Sequence, residues 1–443
     1  MSADDAQVAT DARPGVAKIV GSSTDGEVLA PYLSLEEPRL VLDLRSDSAF
    51  HQAHLVGSYH ISPIPALRSR YSYLPPRNVP FLVLADSAQR NEVAEAFAST
   101  PSARLVFLTV AGADIAESSA TGGVDSIATS ARFFDVAFRF GLARSSQSHQ
   151  QRIMRSDAKD VEEDIPELLF RPSHAVRRTV LSLDERPHQY ASLRVLDLGC
   201  GAARDLAWIL HGSRTRPSSC TWTGVGVDNW KAALNRAQQL MDDLYLTSSS
   251  LHEAKETLFA PRCENLLWAT CTDDGHLQPL TGSGKGKAIQ NAEDHPEIWD
   301  DFRQLGLAPL LPASSGAAKQ DIEAGEDAQF DLVLCIRFHP RALLPRLSAL
   351  VRTGGVVLLS HFVTLSESER SAARQEHPEA TADYDSPPHE GRIQPGEVER
   401  LVQTWNQDVG TSSKWIIESD VLEPIEDGRI IRSAALRKVA LSI

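Results

Sequence analysis

The stretch Arg194 to Asp205, RVLDLGCGAARD, constrains this chain more than any other. An apolar run breaks into a glycine turn and then into a helical pattern beginning near Leu206, so it reads as strand, tight loop and helix. Gly199 and Gly201 suit a loop whose backbone must come close to a ligand, because a side chain at either place would block contact or resist the needed φ/ψ. Asp197 opens the loop, where its carboxylate can accept from a ligand ammonium or from backbone N–H groups. The next apolar run, Trp222 to Val227, ends in Asp228. An acid closing the second strand of a βαβ unit is where ribose hydroxyls are bound. A dinucleotide fingerprint would need its third glycine at Arg204, and an arginine there argues against a pyrophosphate tucked under the helix. A nucleoside without phosphates fits better.

VLDLGCGAARD followed by GVGVDNWKAAL resembles the first two motifs of the class I S-adenosylmethionine-dependent methyltransferases, whose pattern is D/E-x-G-x-G-x-G. The chain departs at the last glycine, where it has Ala203. The resemblance runs from about Phe170 to the C-terminus. It implies a Rossmann-like α/β domain with a mostly parallel sheet, binding S-adenosyl-L-methionine through Asp197, Gly199, Cys200 and Gly201 at the methionine end and Asp228, Asn229 and Trp230 at the ribose and adenine. The third strand is expected at Asn265 to Cys271, with Asp273 or Asp274 accepting from the adenine amino group. Trp230 also has a plain alternative, that of a core tryptophan.

The chain of 443 residues is long enough for two domains and connecting segments. Its formal net charge of −15 makes a phosphate-tracking surface a local exception, so nucleic acid is disfavoured as a partner. The 5 cysteines lie in or beside apolar runs without the paired spacing of a zinc site, so no metal is expected. No leader-like N-terminus and no span-length apolar run is present, which predicts a cytoplasmic or nuclear setting without a membrane.

Residues 1–18 are small and polar and read as a disordered tail. The segments LDLRSDSAFHQAHLVGSYHI and FLVLADSAQRNEVAEAF resemble a rhodanese-like α/β domain over 19–112. In catalytic members the residue directly after the second of these strands is a cysteine nucleophile; here that position is Ala85, and no cysteine precedes Cys200. The resemblance thus implies a domain without sulfur transfer, serving as a docking module for a protein partner or retained for stability. Residues 113–166 read as a linker whose aromatic middle, SARFFDVAFRFGL, can pack on a neighbour.

The methyltransferase-like domain is expected over 167–443, led by a helix from Leu168 to Leu183. Insertions are expected near 275–328, largely loop around a short segment Glu297 to Leu307 and containing GSGKGK, and near 364–392, a polar stretch or lid. The run FDLVLCIRF predicts a fourth strand ending at Arg337, Phe338 and His339, on the sheet edge where such folds hold ligands. Its Arg-Phe pair is similar to the tellurite-resistance-type small-molecule branch. A helix over Arg341 to Leu350, a strand over Val356 to Phe362 and two last strands, Trp415 to Val421 and Ile430 to Val439, follow; the last two match the antiparallel pair closing a class I sheet.

The expected activity is methyl transfer to an unidentified small-molecule or anionic acceptor. Arg337 and His339 are the candidate catalytic residues, the first orienting an anion, the second taking its proton. The alternative is an adaptor using both folds as interaction platforms.

Overall fold

The computed structural model describes residues 23–109, 128–145, 166–186, 192–216, 220–247, 260–312, 329–381, 384–408 and 413–441. The expected N-terminal tail lies outside them. The chain divides into two compact units, Met1–Tyr71 with Arg77–Leu169, and Ser72–Pro76 with Phe170–Ile443.

The first unit is an α/β layer structure. Its helices are α1 (Ser23–Leu33), α2 (Asp47–Gln52), α3 (Arg90–Ala96) and α4 (Ser130–Arg139). Its strands are β1 (Val41–Asp43), β2 (His54–Leu55), β3 (Tyr59–His60), β4 (Phe81–Asp86), β5 (Ala103–Thr109), β6 (Ala128–Thr129) and β7 (Ala143–Arg144). Five of the strands form a parallel sheet in the order β3-β1-β4-β5-β6, while β2 and β7 pair antiparallel beside it. Buried Val41, Leu82, Leu84, Val106 and Leu108 build the core with Phe133, Phe134, Val136 and Ala137 of α4. These α4 residues correct the linker reading of 113–166: residues 128–145 supply two short strands and a helix of this unit, because the aromatic face expected to touch a neighbour is a core face.

Two details anchor the β1 end. Arg45 is 1% exposed and Asp43 is 0% exposed; Arg45 Nη2 donates to Asp43 Oδ2 at 2.6 Å and to the Ala53 carbonyl at 2.6 Å. Phe50 is stacked between the rings of His54 and His60. Ala85, expected directly after a strand, is the fifth residue of β4, buried and paired with Phe107 of β5. The strand runs two residues further than its apolar run suggested because Ala85 and Asp86 continue the ladder with β5.

The second unit carries α5 (His174–Asp184), β8 (Ser192–Leu198), α6 (Arg204–Thr215), β9 (Thr221–Asp228), α7 (Lys231–Asp243), β10 (Arg262–Cys271), β11 (Leu277–Thr281) and β12 (Lys287–Ala288). These are followed by α8 (Pro296–Gln304), β13 (Phe330–Ile336), β14 (Val351–Phe362), α9 (Glu367–Glu376), α10 (Glu397–Asp408), β15 (Ser413–Pro424) and β16 (Ile430–Ala440). The nine strands run β12-β11-β10-β9-β8-β13-β14-β16-β15. The five from β10 to β14 are parallel, and β16 and β15 close that side antiparallel, as the sequence led us to expect. Strands buried on both faces, such as VLDL and FDLVLC, are apolar apart from Asp197 and Asp331 because helices cover the sheet.

Three sequence expectations change here. The 275–328 insertion is not largely loop: β11 and β12 extend the sheet, and α8 buries Trp299 and Phe302. Pro279 and the glycines hid the strand pattern; Pro279 is tolerated because β11 carries its pairing through Gln278, Leu280 and their neighbours. Residues 313–328 of that insertion lie outside the described residues. The helix over Arg341 to Leu350 is a 3-10 turn, Leu344–Leu350, since Pro345 lacks the N–H an α-helix would use. The 364–392 stretch holds α9, started by a capping box in which Ser366 Oγ accepts from Glu369 N–H and Glu369 Oε2 accepts from Ser366 N–H at 2.8 Å. Tyr384 Oη then ties the stretch to β16 by donating to the Ile430 carbonyl at 2.8 Å.

Among the described residues no helix is long and apolar enough to cross a membrane, and no group of three His, Cys, Asp or Glu side chains could hold a metal ion.

Candidate cofactor and acceptor site

The parallel core of the sheet places the ends of β8, β9, β10 and β13 along one edge, where the polar residues singled out above collect. At the end of β8 the loop Gly199 to Ala203 folds on itself: Gly199 and Cys200 both donate backbone N–H to the Val227 carbonyl, and Ala203 donates to the Cys200 carbonyl. Gly199, Gly201 and Ala203 all have left-handed φ, at 73°, 56° and 55°. Glycine takes this region at little cost; Ala203 does so at the N-terminus of α6, where the side-chain capping hydrogen bond is missing.

Asp228 locks this loop to the end of β9. Its Oδ2 accepts from Gly201 N–H at 2.8 Å, and its Oδ1 accepts from Trp230 N–H at 2.7 Å. Each oxygen keeps a second lone pair, so the carboxylate can still accept two hydroxyl hydrogens. Asp197 is 3% exposed. Burial pushes its carboxyl well above the ordinary range, and Asp205 and Asp228 push it the same way. A bound cation is what would return it to the charged form. The Cys200 thiol is likewise pushed up by burial and then by Asp197 and Asp228, which keeps it protonated and unreactive.

The residues expected at the adenine are exposed. Trp230 is 58% exposed, so the core alternative for it falls, and the Arg236 guanidinium lies 4.6 Å from its ring centre. Asn229 is exposed and offers its carbonyl to Trp268 Nε1 at 3.1 Å. Asp273 sits exposed in the β10–β11 turn, beside Asp274, which is engaged by His276 Nδ1 at 3.1 Å. The GSGKGK stretch is the β11–β12 turn. Lys231 Nζ donates to the Gly282 carbonyl at 2.9 Å while lying 4.5 Å from the Trp268 ring centre. Trp268 and Lys231 were not singled out in the sequence; a tryptophan facing the end of β9 was the available signal.

The turn after β13 begins at Arg337, an exposed residue with φ 55° whose N–H donates to the Ser360 carbonyl at 2.7 Å. The strained turn sends Phe338 over the glycine loop. His339 does not stand open: its side chain is 4% exposed, Nε2 is 3.0 Å from Glu397 Oε1, and its ring stacks on His361 at 5.5 Å. Arg341 Nε donates to the same Glu397 at 2.7 Å. Burial draws the Glu397 carboxyl upward, but the bonds from His339, Arg341 and Gln394 N–H outweigh it and hold it well below its ordinary range. His361 is pushed down to about 4, by burial first and by His339 second. Arg337 and His339 are therefore brought to one edge but into different settings, one exposed and one clamped. Glu397 and His361 escaped the sequence reading because His339 lies 58 residues before Glu397 and the Gly391 carbonyl that His361 meets lies 30 residues on.

No protein-family model matches the chain. The chain is 28% identical over 272 residues to an uncharacterized protein of Schizosaccharomyces pombe, a match covering 61% of this chain and 64%, less than two thirds, of that protein. Solved structures similar to it include an S-adenosylmethionine-dependent methyltransferase from Geobacter sulfurreducens in complex with S-adenosyl-L-homocysteine (12% identity, 60% of this chain and 71% of that one, TM-score 0.28). One from Thiobacillus denitrificans, in the same type of complex, shares 10% identity over 60% of this chain and 91% of that one, TM-score 0.29. The [4+2]-cyclase SpnF shares 11% identity over 59% and 80%, TM-score 0.29.

Proposed function

We propose that the second unit binds S-adenosyl-L-methionine and transfers its methyl group to an anionic small-molecule acceptor, in the manner of the tellurite-resistance-type branch that its Arg337-Phe338 pair resembles. The observation that carries this reading is Asp228, whose two oxygens each hold one backbone N–H and each retain a lone pair for a vicinal diol. The residues fit that ligand: Asp228 for the ribose, buried Asp197 for the ammonium, Trp230 and Asp273 for the adenine. The sulfonium supplies an already activated methyl group when bound, so the work left to the protein is alignment. Arg337 orients the acceptor's anionic group with its planar fork. His339 is a positioning residue, since its proton-bearing edge is committed to Glu397 and the pair with Arg341 fixes the turn after β13.

In this reading the first unit is a rhodanese-like docking module without sulfurtransferase chemistry, supported by the absence of a cysteine before Cys200 and by the burial of Ala85 in β4.

Isothermal titration calorimetry with S-adenosyl-L-homocysteine tests the binding. Asp228→Ala should weaken it by about ten- to a hundredfold, from the loss of a charged acceptor. Equal affinity in the variant would remove the ribose assignment. A transfer assay with labelled cofactor against fractionated metabolites then separates an enzyme from an adaptor that binds without turnover.

A further inference from the structure

Arg204 opens α6 directly after the glycine loop, and its guanidinium carbon lies 5.1 Å from the ring centre of buried Phe170. Its Nε is buried without a hydrogen-bond partner, and among the described residues the guanidinium forms no ion pair. The nearest carboxylate in sequence, Asp205, spends an oxygen on Ser173 N–H at 2.8 Å. Burial lowers the pKa of Arg204; Asp205 and then Glu426 oppose this at a distance, and Arg337 adds to the lowering. A mostly buried cation against an aromatic wall and beside a second cation is costly unless an anion joins it.

The ligand has such an anion. On the reading above, Asp197 takes the ammonium and Asp228 the ribose, which leaves the carboxylate of the amino-acid tail without a partner. Arg204 directly follows the glycine loop, as the first residue of α6. We infer that Arg204 is the counter-ion of the carboxylate on the amino-acid tail of the bound nucleoside, with the Phe170 ring shielding the pair from water. This inference rests on the proposed function.

The test uses two nucleosides that differ only in that group, S-adenosyl-L-homocysteine and its decarboxylated analogue, titrated by calorimetry into the full chain with no acceptor present. The parent protein should prefer the carboxylated ligand by about ten- to a hundredfold, the range for a hydrogen-bonded charge pair. Arg204→Met should bring the two affinities within about threefold by weakening only the first. Arg204→Lys, which keeps the charge and loses the fork, should restore part of the preference. Arg204→Gln serves in place of the methionine variant if thermal melting shows that variant unfolded. Undiminished discrimination in a folded Met or Gln variant overturns the inference and leaves the proposed function standing. So does a parent that binds both ligands equally, which would move Arg204 to the acceptor's anion. A parent that binds neither overturns both.

Discussion

Phe338 occupies the space that a side chain on Gly199 would fill: a Cβ there would lie 2.5 Å from both Cβ and Cγ of the phenylalanine. The glycine loop after β8 and the turn after β13 are thus one fitted surface, and the ligand edge of the sheet is shaped by their contact.

Gly199→Ala should therefore be doubly unfavourable, since it adds a close contact and imposes φ 73° on an L side chain. The strain alone costs about 1–2 kcal/mol. Calorimetric melting should show a lower transition and the nucleoside titration a lost or much weakened signal. Adding Phe338→Gly, which removes the Cβ as well as the ring, should recover the contact part of the loss and leave the strain.

Arg337 combines a strained backbone with the side chain proposed to hold the acceptor. Arg337→Gly should melt at or above the parent temperature, because glycine relieves a left-handed residue by about 1 kcal/mol. Nucleoside affinity should stay within a few fold, while methyl transfer falls by about tenfold or more once the positioning group is gone. Unimpaired transfer would move the acceptor away from β13.

The sequence showed the sheet's parallel core, the glycine loop and Asp228, because these lie in continuous apolar runs and their terminal polar residues. It concealed what depends on distant partners. Nothing near His339 announces that Glu397, 58 residues on, will clamp it. Pro279 and three glycines made β11–β12 look like loop, whereas the hairpin is held by Lys231 and Trp268. The aromatic stretch over 130–142 was visible as sticky and the β1 and β4 strands were visible as apolar runs, but not that the one packs on the other.

His361 gives a pH prediction. Its folded pKa of about 4 lies below the unfolded value near 6.5, so between these the unfolded state binds more protons. Its contribution to stability is full above about 6.5 and is lost as pH falls toward 4. Melting temperature should decline through that window, and His361→Gln should flatten the decline. The carboxylates that also titrate near its lower end should leave the residual slope.

Asp43→Ala tests the first unit. It would leave the Arg45 guanidinium buried without its carboxylate, a loss of about 3–5 kcal/mol, read as a downward shift of the calorimetric transition that this unit carries. Replacing both members, with Asp43→Leu and Arg45→Met, should recover most of it.

The nine-stranded sheet is open, so each rim presents unpaired backbone to any passing extended chain. At one rim β12 is only two residues long and begins with exposed Lys287. At the other, β15 bears Glu418, Asp420 and Glu423, each neutralised by an arginine of its own unit, Arg186, Arg432 and Arg178. The β12 rim, two residues long, offers no template of any length. The hairpin that was mistaken for a loose excursion thus also ends the sheet, and it guards the protein against fibril-like growth from that side.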